Sequence, residues 1–140
     1  MSDVDMNEWN KQVIAEFREN DGKVGGPFAG SPMVLIHHRG AKTGTERINP
    51  LMCQVDGDRI FIFASKGGAP DNPDWYHNLM ANPDTTIDFG TERDVPVQAV
   101  ELTGDDREQV WERQKREWPQ FAEYEANTDR TIPVLELQRV

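Results

Sequence analysis

Two short segments concentrate groups able to hold an anion. The first, His38-Arg39-Gly40-Ala41-Lys42-Thr43-Gly44-Thr45-Glu46-Arg47, sets the cations Arg39, Lys42 and Arg47 against a single carboxylate, Glu46. Gly40 and Gly44 let the backbone turn tightly and approach a ligand closely. Cations beside free backbone N–H groups at such a turn make an anion site. An ordinary solvated hairpin has the same composition, and both readings stay open at this point. The second segment, Ala64-Ser65-Lys66-Gly67-Gly68-Ala69-Pro70-Asp71-Asn72-Pro73-Asp74-Trp75-Tyr76-His77-Asn78-Leu79, leaves a strand at Ser65 and enters a helix within a few residues. Unpaired N–H groups and the helix dipole favour a negative group there; a plain connector into a capped helix is the alternative.

Other reactive side chains point away from metal or disulfide chemistry. His37 and His38 are adjacent on an expected strand, so they face opposite ways and cannot pair on one metal. His77 has no partner at helical spacing, and no metal is expected. Cys53 is the only cysteine. It cannot form an intramolecular disulfide, and its apolar, strand-like setting predicts a buried thiol. Trp75 and Leu79 stand four apart on a helix, so Trp75 serves equally well as core or as cofactor wall.

Elements must position these groups. Trp9, Val13, Ile14 and Phe17 recur at helical spacing and predict a helix over about 6–19, stopped at Asn20-Asp21-Gly22. A connector rich in glycine and proline follows, from Gly25 to Pro32. Strands are predicted at 33–38, 47–55, 60–64, 85–89, 95–102 and 131–137, with turns at Asp56-Gly57-Asp58 and Gly90-Thr91-Glu92-Arg93. A helix opens near Asn72-Pro73-Asp74, with proline expected at its first helical position. Another follows Gly104, carries Val110, Trp111 and Trp118, and breaks at Pro119 before a further turn or two over 121–126. Five or six strands joined mostly by hairpins, with few helices, predict an antiparallel barrel, and no dinucleotide-type glycine fingerprint argues for a parallel sheet.

Composition narrows the partners. The 140-residue chain suits one domain, 1–140, with 1–30 as N-terminal helix and connector, and its 36% apolar content predicts a thin core. A net charge of -10 argues against nucleic acid and against general affinity for anionic membranes. The start MSDVDMNEWNKQ resembles neither a signal nor a transit peptide, and no apolar run reaches the length of about 18 residues needed to span a bilayer. The expected compartment is the cytoplasm. Whether the first helix touches a membrane to reach a lipid quinone is not decided by the sequence, although Trp9, Val13 and Phe17 could form such a face. The oligomeric state is not legible in the residues.

In combination the motifs are specific. The succession Lys42-Thr43-Gly44, Arg47, Asn49-Pro50-Leu51, Ser65-Lys66-Gly67-Gly68, Asn72-Pro73, Trp75, Asn78-Leu79, Asn82-Pro83 and Thr128-Asp129-Arg130-Thr131-Ile132-Pro133 resembles the deazaflavin-dependent nitroreductase family over about residues 30–140. The resemblance implies a mainly β fold with flanking helices, a split antiparallel β-barrel related to FMN-binding barrels. It also implies coenzyme F-420 as cofactor, a deazaflavin carrying a phosphate and an acidic oligoglutamate tail.

By the same resemblance, Lys42, Arg47 and Lys66 would face the phosphate and tail. Ala41, Thr43, Ile48, Asn49 and Pro50 would line the pocket; Ala64, Ser65 and Gly67 would border the ring; Trp75, Tyr76 and Asn78 would close the site. Trp118, Phe121 and Tyr124 would form the acceptor pocket, although aromatics three apart also serve as plain packing. Members that activate bicyclic nitroimidazoles tend to carry tyrosines in that register, where only Tyr124 remains here. The implied reaction is hydride transfer from reduced coenzyme F-420 to a planar apolar acceptor, a quinone first and nitroaromatics second. Ser65 would hydrogen-bond the acceptor, and Tyr124 would hydrogen-bond it or donate a proton. The rival expectations are an FMN-dependent oxidoreductase on the same barrel and an F-420 carrier without a substrate of its own.

Overall fold

Short runs of β-branched and aromatic residues fold into six antiparallel strands in a computed structural model that describes residues 3–140. They are β1 (Met33–Arg39), β2 (Glu46–Asp56), β3 (Arg59–Phe63), β4 (Asp84–Phe89), β5 (Glu92–Glu101) and β6 (Val134–Arg139). Their order around the closed barrel is β1-β2-β3-β6-β5-β4. Closure pairs every edge, so no unpaired strand is left to template aggregation. The alternation of β1 divides its side chains between two cores. Val34 and Ile36 join Ile62, Ile87, Val97 and Leu135 in one cluster, while Met33 and Leu35 meet the first helix in another.

That helix, α1 (Asp3–Glu19), docks Val13 and Phe17 on Met33 and Leu35. Phe17 is only 2% exposed, a burial worth about 1.5–3 kcal/mol for a side chain of this size. The helix stops at Gly22, whose N–H bonds the Phe17 carbonyl at 2.8 Å with φ at +92°. A Cβ there would lie 2.8 Å from the Gly90 Cα, so both the turn and the close approach require glycine. Of the residues suggested for a membrane face, Val13 and Phe17 are core, while Trp9, 40% exposed, lies tilted against Phe28 with ring centroids 5.4 Å apart. Among the described residues, no helix is long and apolar enough to cross a membrane.

Between β3 and β4, α2 (Asp74–Ala81) buries Trp75 and Leu79 in the barrel core. Pro73 caps this helix and does not open it, since its backbone is extended at ψ 154°. Two further helices, α3 (Gly104–Glu117) and α4 (Gln120–Ala126), cover the other side of β3 with Trp111 and Phe121. The last strand starts at Val134, later than its apolar pattern predicts. Pro133 has no N–H to give the ladder, and the Ile132 carbonyl accepts from the Arg107 guanidinium at 2.7 Å.

Candidate functional site

A cleft of about 710 Å³ opens where α1, the start of β2 and the approach to α2 meet. That volume suits a cofactor-sized ligand. Arg47, Ile48 and Asn49 of β2 line it together with Lys66, Asp74 and Trp75 from the approach to α2 and its first turn. Lys11 and Ile14 join them from α1. In a chain carrying -10, the cleft thus gathers Lys11, Arg47 and Lys66 against one carboxylate, Asp74. Among the described residues neither Arg47 nor Lys42 has an ion-pair partner. Lys66 reaches Asp71 at 3.3 Å and holds that exposed carboxyl below its usual range.

The backbone adds donors. Ser65 is right-handed helical while Lys66 has φ +46°, an alternation that turns successive N–H groups toward one side. Among the described residues, the N–H groups of Ser65, Lys66 and Gly67 find no acceptor. Two features brace this turn. Gly68, at φ +84°, lies so close to α4 that a Cβ would meet the Tyr124 carbonyl at 2.8 Å. Arg130 donates to the carbonyls of Ala64 (3.0 Å), Ser65 (2.8 Å) and Ala69 (2.9 Å) and to Asn72 Oδ1 (2.7 Å). The guanidinium thereby stitches the whole 64–72 connection into one shape.

Across the cleft, the loop between β1 and β2 is closed by Gly40 N–H on the Thr45 carbonyl (2.9 Å) and Gly44 N–H on that of Gly40 (2.8 Å). Ala41 N–H donates to Asn78 Oδ1 at 2.9 Å. Asn78 Nδ2 meets His38 Nδ1 at 3.0 Å, and His38 Nε2 meets Asn49 Oδ1 at 2.6 Å. Burial pushes the His38 imidazole below its ordinary pKa, with Arg47 adding to the effect, against the Asn49 hydrogen bond and Asp74. His37 points the other way, between Glu46 (3.2 Å) and Asp88 (3.1 Å). Burial alone would raise the Asp88 pKa, but bonds from Asp94 N–H, Arg18 and His37 hold it below the usual carboxylate range.

Of the expected site residues, Arg47, Ile48, Asn49, Lys66 and Trp75 share the cleft wall. Ala41, Lys42 and Thr43 are exposed on the loop above it, and Ser65 and Gly67 belong to the Lys66 turn. Pro50 and Ala64 are buried beneath, and buried Asn78 acts as a brace. Tyr76 turns away to donate to Glu101 at 2.5 Å; burial, then that carboxylate, push its phenol up to about 12.

The aromatic trio lies apart from this cleft. Phe121, 4% exposed, packs edge-on against Phe63 and Trp111, while Trp118 and Tyr124 lie on the same cluster. These rings pack together on the barrel, with Trp118 and Tyr124 only half-buried. Sequence reasoning missed His38, Thr45, Asp74, Asn10, Lys11 and Ile14 as cleft residues. His38 did carry a signal, a polar residue continuing the inward register of Val34 and Ile36.

Known proteins share this architecture. A family model described as F420H(2)-dependent quinone reductase matches residues 9–138. An F420H(2)-dependent quinone reductase of Mycobacterium tuberculosis is 38% identical over 148 residues, covering 97% of this chain and 99% of that protein. The solved structure of an F420-H2 dependent reductase superposes with a TM-score of 0.68 and 39% identity, over 76% of this chain and 94% of its own. A second solved structure, described as a domain-swapped dimer, gives a TM-score of 0.71 at 36% identity over 98% of this chain and all (100%) of that one. With the barrel, the motif order and these identities in agreement, the chain belongs to the F420H(2)-dependent quinone reductase family.

Proposed function

We propose that the protein binds reduced coenzyme F-420 in the cleft between Arg47 and Lys66 and reduces a quinone with it. The observation that carries this reading is the local reversal of charge. An acidic chain keeps Lys11, Arg47 and Lys66 together beside unpartnered N–H groups, where a phosphate and a carboxylate tail would be welcome. The donor set therefore fits this cofactor. When bound, coenzyme F-420 supplies the hydride from C5 of its reduced deazaflavin.

The chain's own residues bind and orient. Arg47, Lys66 and Lys42 neutralise the phosphate and tail. Asn49 and the N–H groups of the Lys66 turn give directional bonds, and Ile48 and Trp75 supply flat apolar wall. The half-buried Ser65 hydroxyl makes no capping bond to the turn that follows it. We assign it to hydrogen-bond the acceptor oxygen as negative charge grows there. Tyr124, half-buried on α4, is the weaker partner in that task. Nitroaromatics are a secondary acceptor class, and the cytoplasm is the proposed compartment.

Fluorescence titration with coenzyme F-420 and with FMN tests the cofactor, and single-turnover oxidation by a soluble quinone tests the reaction. F-420 binding tighter than FMN is expected, followed by quinone reduction. Equal or tighter FMN binding overturns the assignment, and tight F-420 binding without turnover favours a carrier.

A further inference from the structure

We propose that His38 is a positioning residue: a neutral imidazole protonated at Nε2 that aims the Asn49 amide N–H2 into the cleft. The proposal rests on the cofactor reading of that cleft. Its logic starts from a group whose direction is beyond choice. A backbone N–H can only donate, so the bond from Ala41 N–H at 2.9 Å makes the Asn78 atom it meets the carbonyl oxygen. The other end of that amide, Nδ2, then faces His38 Nδ1 at 3.0 Å as a donor, so Nδ1 must be the bare, accepting nitrogen. In a neutral imidazole the proton therefore sits on Nε2. Nε2 lies 2.6 Å from Asn49, which must present Oδ1 to it and turn Nδ2 away.

The chain of bonds thus runs one way, from the loop through α2 and β1 to β2. Its last member has no protein acceptor for its two N–H groups among the described residues, and it lines the cleft. Asn78 and His38 are 8% and 3% exposed, so water is largely kept from competing along the chain. A second proton on His38 would set it donor to donor against Asn78 Nδ2. Flipping Asn78 would only move that conflict to Ala41 N–H. Burial of the imidazole opposes that proton as well.

Two measurements test the inference. Nitrogen-15 NMR of the histidine rings in wild-type protein without cofactor should find His38 with a pyridine-like Nδ1 and a protonated Nε2. An Nδ1–H tautomer or an imidazolium at neutral pH overturns the proposal, and this readout needs no variant to fold. The second is F-420 titration of His38→Gln and His38→Asn. A glutamine amide reaches the position of Nε2 and can still donate to Asn49, whereas an asparagine amide can replace only Nδ1. His38→Gln should keep affinity within about twofold, and His38→Asn should weaken it about threefold to tenfold, the loss of one neutral hydrogen bond. Equal affinities in the two variants, whether both lowered or both intact, overturn the role of His38 while leaving the cofactor site standing. A wild type that fails to bind F-420 instead overturns the cofactor reading and this proposal with it.

Discussion

The aromatic cluster of Phe63, Trp111 and Phe121 and the cleft bordered by Arg47, Asn49 and Lys66 are built on strands of the same barrel, yet only the first closes on itself. In the cluster the indole edge is paired: the Trp111 N–H donates to Glu125, which also takes Lys115 at 3.0 Å. Those bonds outweigh the burial that would otherwise raise the Glu125 pKa, and the carboxyl stays below its usual range. In the cleft, by contrast, Arg47 and the N–H groups of the Lys66 turn remain without acceptors among the described residues. A cation and backbone donors left open on the wall of a cleft mark it as the place a ligand completes.

The widest separation between the two regions should appear on deleting Trp111. Trp111→Ala should cost about 3–5 kcal/mol of stability, read by urea unfolding, while F-420 affinity of the folded fraction stays near wild type. An affinity loss as large as the stability loss would merge the two regions into one. Ser65→Ala should do the reverse, slowing single-turnover quinone reduction about a hundredfold with the melting temperature unmoved; a wild-type rate would put the acceptor elsewhere. Arg47→Ala should weaken F-420 binding about tenfold to hundredfold, as expected for one charge-assisted bond. Added salt should weaken the wild type in the same direction. Unchanged binding in a folded variant would return Arg47 to a solvated surface role.

Acid should act on the framework that supports both regions. Asp88 and Glu136 have folded pKa values below the usual carboxylate range, Asp88 despite its burial and Glu136 chiefly through Arg59. The unfolded chain therefore binds more protons than the folded one as pH falls. Their stabilisation is complete above the ordinary carboxylate pKa, about 4, and is lost as pH drops through their folded values. The lowered His38 adds a loss of the same sign that begins near its ordinary value, about 6.5. Urea midpoints should accordingly fall steadily from neutral to acid, and a flat profile would contradict these shifts. The smallest effect concerns Cys53, 1% exposed with burial pushing its thiol up to about 12. Native protein should resist alkylation at about pH 8, where an ordinary thiol is partly ionised, and react only on unfolding.

Much of the barrel was legible because its signals are local. Runs such as Ile60-Phe61-Ile62-Phe63 and turns such as Asp56-Gly57-Asp58 declare themselves within a few residues. Arg47, Asn49 and Lys66 were legible because motif order carried them. What stayed hidden depends on distant pairing. Lys11 and Ile14 reach the cleft only because Phe17 and Val13 dock α1 on β1, and helical spacing alone does not say which neighbour a face will meet. Nor does spacing decide the role of Trp118, Phe121 and Tyr124, since aromatics that face a ligand and aromatics that face a core share one pattern. His38 needed β1, β2 and α2 together before its two partners came within reach.

Arg130 also orders events in time. Its guanidinium fixes a connection some sixty residues earlier in the chain, with separations of 58 to 66 positions. Four positions on begins β6, the strand that joins β3 to β5 and closes the barrel. A ribosome making this protein therefore releases the Lys66 turn long before the residues that shape it. Contacts of such long range form late, after their loop-closure entropy has been met. The nascent chain should be unable to retain its cofactor until Arg130 and β6 have emerged and docked.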